Sequence, residues 1–165
     1  MSVENPKERR ERLEMTALGL AGLIPFAASA FVVWIPATLL APFTSAAPVF
    51  ALAYAAVIAA YLTGAGAGAI LAQPSGPRRW FAPGQILLLI VFFAALPDGV
   101  LYDLAHSIRF PIVIAAFLAI LAMDLGSARE QRFPPWYGKL RIALTAGVVA
   151  SLAAVLAHPS VWGAR

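Results

Sequence analysis

Residues 49–71 read VFALAYAAVIAAYLTGAGAGAIL, and this stretch decides the fold. It holds no Asp, Glu, Lys or Arg, and it satisfies the ~20 residues a helix needs to cross a ~30 Å hydrocarbon core. Lipid offers no water to backbone N–H and C=O groups, so a spanning segment must close its hydrogen bonds within itself, as a helix does. A transmembrane strand would alternate polar and apolar side chains, and this stretch does not.

Four further apolar runs flank it. The sequence predicts an all-α polytopic membrane helix bundle with five transmembrane helices, at about 15–40, 49–71, 81–98, 108–125 and 140–157. Residues 1–14 form a charged leading segment, 15–158 the membrane domain and 159–165 a short outer tail. Composition agrees. The 165 residues are 61% hydrophobic and 12% charged, whereas a soluble domain carries about 25% charged residues. Mean hydropathy is +0.82. The absence of cysteine excludes disulfides, Fe–S clusters and thiolate zinc sites. The net charge of +4 sits beside apolar runs, where it reads as a topology signal rather than a nucleic-acid footprint.

Ahead of the first run, Glu8 and Arg12 stand at i,i+4, as do Lys7–Glu11 and Arg10–Glu14, a spacing that supports a short helix. A solvated tail is the other reading of these residues, since short helices are marginal in water. Ala28-Ser29-Ala30 resembles a signal-peptide cleavage site, but the apolar run continues through Phe31 to Ile35, so an uncleaved span is expected. Pro25 lies inside it and should kink or break it. Trp34 marks its far end, as an interfacial tryptophan does.

Ten of the 12 basic residues fall on alternate connections. Lys7, Arg9, Arg10 and Arg12 precede the first span, Arg78 and Arg79 follow the second, and Arg129, Arg132, Lys139 and Arg141 follow the fourth. Arg109 and Arg165 are on the other side. The positive-inside rule then places the N-terminus in the cytoplasm and the C-terminus outside.

Three places invite functional readings. In Gly64-Ala65-Gly66-Ala67-Gly68, Gly64 and Gly68 make a GxxxG step that Ala60 extends. Such faces let helices approach closely, within the bundle, in a homodimer or against a ligand. Gly19 and Gly22 form a second small cluster. Asp124 and Arg141 lie at one depth on neighbouring antiparallel helices; they read as a salt bridge closing the hairpin, or as a proton or anion site. If residues 98–109 are helical, Asp103, His106 and Arg109 share a face near Asp98, as a surface hydrogen-bonding group or a small acid–base cluster. Trp136 and Tyr137 after Pro134-Pro135, like Trp80 and Phe81, read as interfacial anchors. No metal site, cofactor or catalytic constellation is expected.

Leu18-Gly19-Leu20-Ala21-Gly22-Leu23-Ile24-Pro25-Phe26, then Tyr54 through Gly68, then Pro135-Trp136-Tyr137-Gly138-Lys139-Leu140-Arg141 with Leu144-Thr145, together resemble domain-of-unknown-function family 3429, the transmembrane-protein-69-like membrane proteins. The resemblance runs in order from about residue 15 to 156. It implies a small multi-pass protein of a bacterial inner membrane or a mitochondrial membrane, and no activity. Family members carry Gly-Gly-x-Arg/His-Trp-Gly where this chain has Gly64 to Gly68, so the basic residue and tryptophan are missing here. The family also places an Asp ahead of the Pro-Trp-Tyr loop, which supports pairing Asp124 with Arg141. The Ala-rich, Lys-poor composition favours the bacterial inner membrane.

The expected function is a structural or accessory membrane protein, not an enzyme, that associates with itself or with a larger membrane complex. Its remaining partner is the lipid bilayer, and no nucleic acid is expected. A small oligomeric transporter or channel is the alternative, and a lipid-directed enzyme using Asp98, Asp103, His106 and Arg109 ranks last.

Overall fold

Backbone hydrogen bonding in an apolar chain leaves the helix as the economical element, and helices are what forms. The computed structural model describes residues 6–72, 79–129, 134 and 136–163. Its elements are α1 (Pro6–Ala21), α2 (Ile24–Val33), α3 (Ala37–Leu71), α4 (Phe81–Ala95), α5 (His106–Arg129), α6 (Tyr137–Leu156) and α7 (Pro159–Gly163). Four segments, Arg9–Val33, Thr38–Leu71, His106–Arg129 and Tyr137–Leu156, are long and apolar enough to cross a membrane, and Phe81–Ala95 is a shorter apolar helix.

Several expected boundaries move. The leading segment is helical from Pro6, and Arg10 donates to Glu14 at 3.0 Å on its exposed surface. The side chain of Glu8 lies outside the described residues, as do Arg78, Arg132 and Pro135. The first span, expected over 15–40 with a kink or break at Pro25, is interrupted after Ala21 and ends at Val33. Pro25 does not kink a helix from within; it sits in the first turn of α2. Proline has no N–H for the carbonyl four residues back, and its ring clashes there. That carbonyl belongs to Ala21, where α1 stops. The neighbouring Gly22 carbonyl accepts from Tyr54 Oη at 3.1 Å, so α3 stitches the break.

The second span, expected from Val49, begins earlier, and Pro48 lies inside α3 rather than ahead of it. Leu40 leaves helical geometry (φ −138°, ψ 40°) two residues before Pro42. The Ala41 carbonyl in this bent stretch accepts from Thr44 Oγ1 at 3.1 Å and from Ser45 Oγ at 3.2 Å. Where spans were expected at 81–98, 108–125 and 140–157, the helices are Phe81–Ala95, His106–Arg129 and Tyr137–Leu156. Residues in the expected tail form α7, whose Val161 is buried and whose Trp162 Nε1 donates to the Leu156 carbonyl at 2.8 Å.

Cross-bundle contacts set the directions. A Cβ on Gly19 would meet Leu144 Cδ1 at 2.7 Å, and one on Gly147 would meet Leu23 Cδ1 at 2.8 Å. Trp34 Nε1 donates to the Ala154 carbonyl at 3.1 Å. Both numbers rise together, so α1–α2 runs parallel to α6. Arg141 pairs with Asp124, so α6 is antiparallel to α5. A Cβ on Gly84 would meet Met123 Cε at 3.3 Å and one on Gly126 would meet Trp80 Cζ2 at 3.2 Å, while Arg109 bonds the Leu96 carbonyl. Thus α4 is antiparallel to α5. With its flanking turns it covers the depth from Arg109 to Gly126, although its 15 residues make only about 22 Å of helix at about 1.5 Å per residue.

Lipid tails are as apolar as leucine, so helices in a bilayer associate through close packing rather than hydrophobic exclusion. The face of α3 that does this is Ala47, Ala51, Ala55, Ala59 and Thr63, one residue per turn and all buried. Phe26, Val91, Phe117 and Leu152 fill the space between helices, with Phe26 edge-on to Tyr54 (4.9 Å) and Phe117 (6.3 Å). The outer surface is apolar as well: Leu18, Phe31 and Tyr61 are 70–74% exposed.

Candidate functional site

Among the described residues, two groupings of charged side chains interrupt this apolar interior, one at each end of α5. At the α5–α6 end, α5 carries Asp124 one turn before its finish, and α6 carries Arg141 one turn after its start. The intervening connection brings them level. Arg141 Nε donates to Asp124 Oδ2 at 2.6 Å, and both residues are buried, 5% and 7% exposed. The expected salt bridge is therefore formed. Burying two charges is costly unless geometry and further hydrogen bonds compensate, and here compensation is incomplete. Arg141 Nη2 and Thr145 Oγ1, one turn apart on α6, are buried with no partner among the described residues, as is Trp80 Nε1 at the entry to α4.

Tyr137 sits within electrostatic reach of Asp124 and Arg141. Its ring is edge-on to Trp136 at 6.3 Å, and its N–H bonds the Pro134 carbonyl at 3.0 Å. Trp80 lies under the Arg79 guanidinium, 5.1 Å from the ring centroid. Asp124, Ser127, Thr63 and Trp80 line one small cavity between α3, α4 and α5. Thr63 keeps its hydroxyl in α3, donating to the Ala59 carbonyl at 2.8 Å.

At the α4–α5 end the expected acid–base face does not form. Residues 98–105 are not helical, so Asp103, His106 and Arg109 do not share a helix face. Pro97 and Gly99, the latter at φ +79°, hold the chain in a turn instead. Asp103 Oδ1 accepts from the Gly99 N–H at 2.8 Å, and His106 is half-buried with its ring 6.4 Å from Phe110. Arg109 is the organising residue. It is 2% exposed and donates to the carbonyls of Leu96 and Leu104 and to the Asp98 carboxylate. One cation thereby satisfies the C-terminal carbonyl of α4 and fastens the connection.

The GxxxG step does not pack within the bundle. A Cβ on Gly64, Gly66 or Gly68 would meet nothing within 4 Å, and Gly64 and Gly68 are exposed along with Ala53 and Ala60. Glycines elsewhere do pack, as Gly19 and Gly147 show. Spacing identifies a small face but not its direction; α3 has two such faces, and the alanine one is turned inward.

Sequence reasoning brings Asp124 and Arg141 together and names Arg109, but it misses the burial of Arg109 and two participants at the α5–α6 end. Arg109 reads as part of a surface group, although a lone arginine between two apolar runs is also the signal of a buried clamp. Trp80 read as an interfacial anchor. Thr145 had its i,i+4 relation to Arg141 as a signal.

No curated protein and no solved structure matches the chain. A family model described as a protein of unknown function, DUF3429, matches residues 12–157. That range holds both polar groupings and most of the chain, and the protein therefore belongs to the DUF3429 family.

Proposed function

We propose that this protein is a non-enzymatic accessory component of a bacterial inner membrane, which associates with itself or with a larger membrane complex through the outward face of α3. The observation that carries this reading is the outward pair Gly64 and Gly68, exposed and with open space where each Cβ would be. Glycine inside a helix costs about 1 kcal/mol relative to alanine in water, and no contact within the chain uses the room it leaves. Small faces of this kind are what transmembrane helices pack on.

The reading includes five crossings, with the N-terminus in the cytoplasm and the C-terminus outside. The matched depth of α4 and α5 supports a fifth crossing by α4, and the alternation of basic residues supports the orientation. The inner-membrane assignment rests on the family resemblance and the Ala-rich, Lys-poor composition. Transport through a single copy has less support. Mid-bundle side chains such as Val91, Val113, Phe117 and Leu152 are apolar and fully buried, where a transporter places its substrate site.

Extraction into native-lipid nanodiscs tests the proposal. A discrete dimer or a stoichiometric complex is expected from the unmodified chain, and a monomer from Gly64→Leu/Gly68→Leu. A monomer without partners from the unmodified chain contradicts it.

A further inference from the structure

The cavity lined by Thr63, Gly66, Trp80, Gly84, Asp124 and Ser127 has room of about 20 Å³. A water needs about 10–15 Å³ and two to four polar partners. Three observations specify the occupant. Trp80 Nε1 is buried and has no acceptor among the described residues. Asp124 gives Oδ2 to Arg141 while lining this cavity, and an ionised carboxylate has about four lone-pair sites. Gly84 on α4 makes the room, since a Cβ there would meet Met123 Cε at 3.3 Å across the cavity wall.

The chemistry at the walls is mixed. The indole only donates and the carboxylate only accepts. An anion would face Asp124, and a cation would face the indole N–H and an already neutralised carboxylate. A molecule that accepts from one wall and donates to the other suits both, and the volume limits it to one water.

We propose that this cavity is a single-water binding site. The water accepts from Trp80 Nε1, donates to Asp124 and has a second proton for the hydroxyl of Ser127 or Thr63. It links α4 to the ion pair that already joins α5 to α6, and it makes Trp80 a positioning residue for Asp124.

Indole-¹⁵N-labelled full-length protein in nanodiscs tests this, with the Trp80 resonance assigned through Trp80→Phe. The expected result is a bound-water NOE at Trp80 Hε1 in the unmodified chain and in Gly64→Val. The NOE is expected to vanish in Gly84→Val, whose side chain enters the cavity beside Met123, with Gly84→Ala as the milder variant if the valine form does not fold. No water NOE at Trp80 in the unmodified chain overturns the proposal. So does an NOE that survives in the folded Gly84 variant, or one that merely matches bulk-exchange peaks from Trp34 and Trp162.

Discussion

Arg141 Nε and Asp124 Oδ2 lie 2.6 Å apart across 17 positions of sequence, joining α5 to α6 inside the bundle. The pair is placed where the hairpin closes, so a long-range contact is reached by a short connection. This is why it was readable from the sequence. Two opposite charges near facing ends of consecutive apolar runs have few other ways to be satisfied.

Removing one partner leaves the other charge buried. Arg141→Met and Asp124→Leu should each destabilise by about 3–5 kcal/mol, while the double variant should recover much of that loss. Denaturant unfolding in detergent measures it. Additive losses in the double variant would show that the two side chains do not act as a pair.

At the opposite end, Arg109 should matter more than its carboxylate partner. Asp98 is half-exposed, and Arg109 keeps the Leu96 and Leu104 carbonyls without it. Amide exchange over residues 97–105 should accelerate strongly in Arg109→Met and only slightly in Asp98→Asn. Equal acceleration would mean that the ion pair, not the carbonyl clamp, holds the turn.

The two kinds of glycine should respond oppositely to added bulk. Gly147→Val drives a side chain into Leu23 and should cost about 1–3 kcal/mol, as overpacking does. Gly64→Ala meets open space and should leave monomer stability unchanged or gain up to about 1 kcal/mol from helix propensity. Thermal unfolding of dilute, detergent-solubilised protein compares them, and a destabilised Gly64→Ala monomer would place that glycine in the bundle interior.

The chain has no cysteine, so single introduced thiols report topology cleanly. Ala72→Cys, at the end of α3, should react only from the cytoplasmic side, and Leu101→Cys, beyond α4, only from the outside. Labelling of both from one side would mean that α4 does not cross.

Hydropathy carried the apolar segments because lipid imposes one element on every span. Pro25 signals a break in the first span, but the break falls at Ala21, four residues before the proline that causes it. The 98–105 turn was misjudged as a possible helix. There Pro97 and the positive φ of Gly99 outweigh the three-residue spacing of Asp103, His106 and Arg109. The two faces of α3 show a third limit. Ala47–Thr63 and Ala53–Gly68 are both small at helical spacing, and only tertiary packing decides which one turns inward.

The outward face of α3 as an association surface is most directly tested by photo-cross-linking in native membranes. A benzophenone side chain would be placed at residue 64, 68 or 118, the last an exposed site on α5, with two differently tagged copies of the chain co-expressed. A protein adduct from 64 and 68, and lipid adducts alone from 118, is the predicted result. Lipid adducts alone from all three positions would contradict the account.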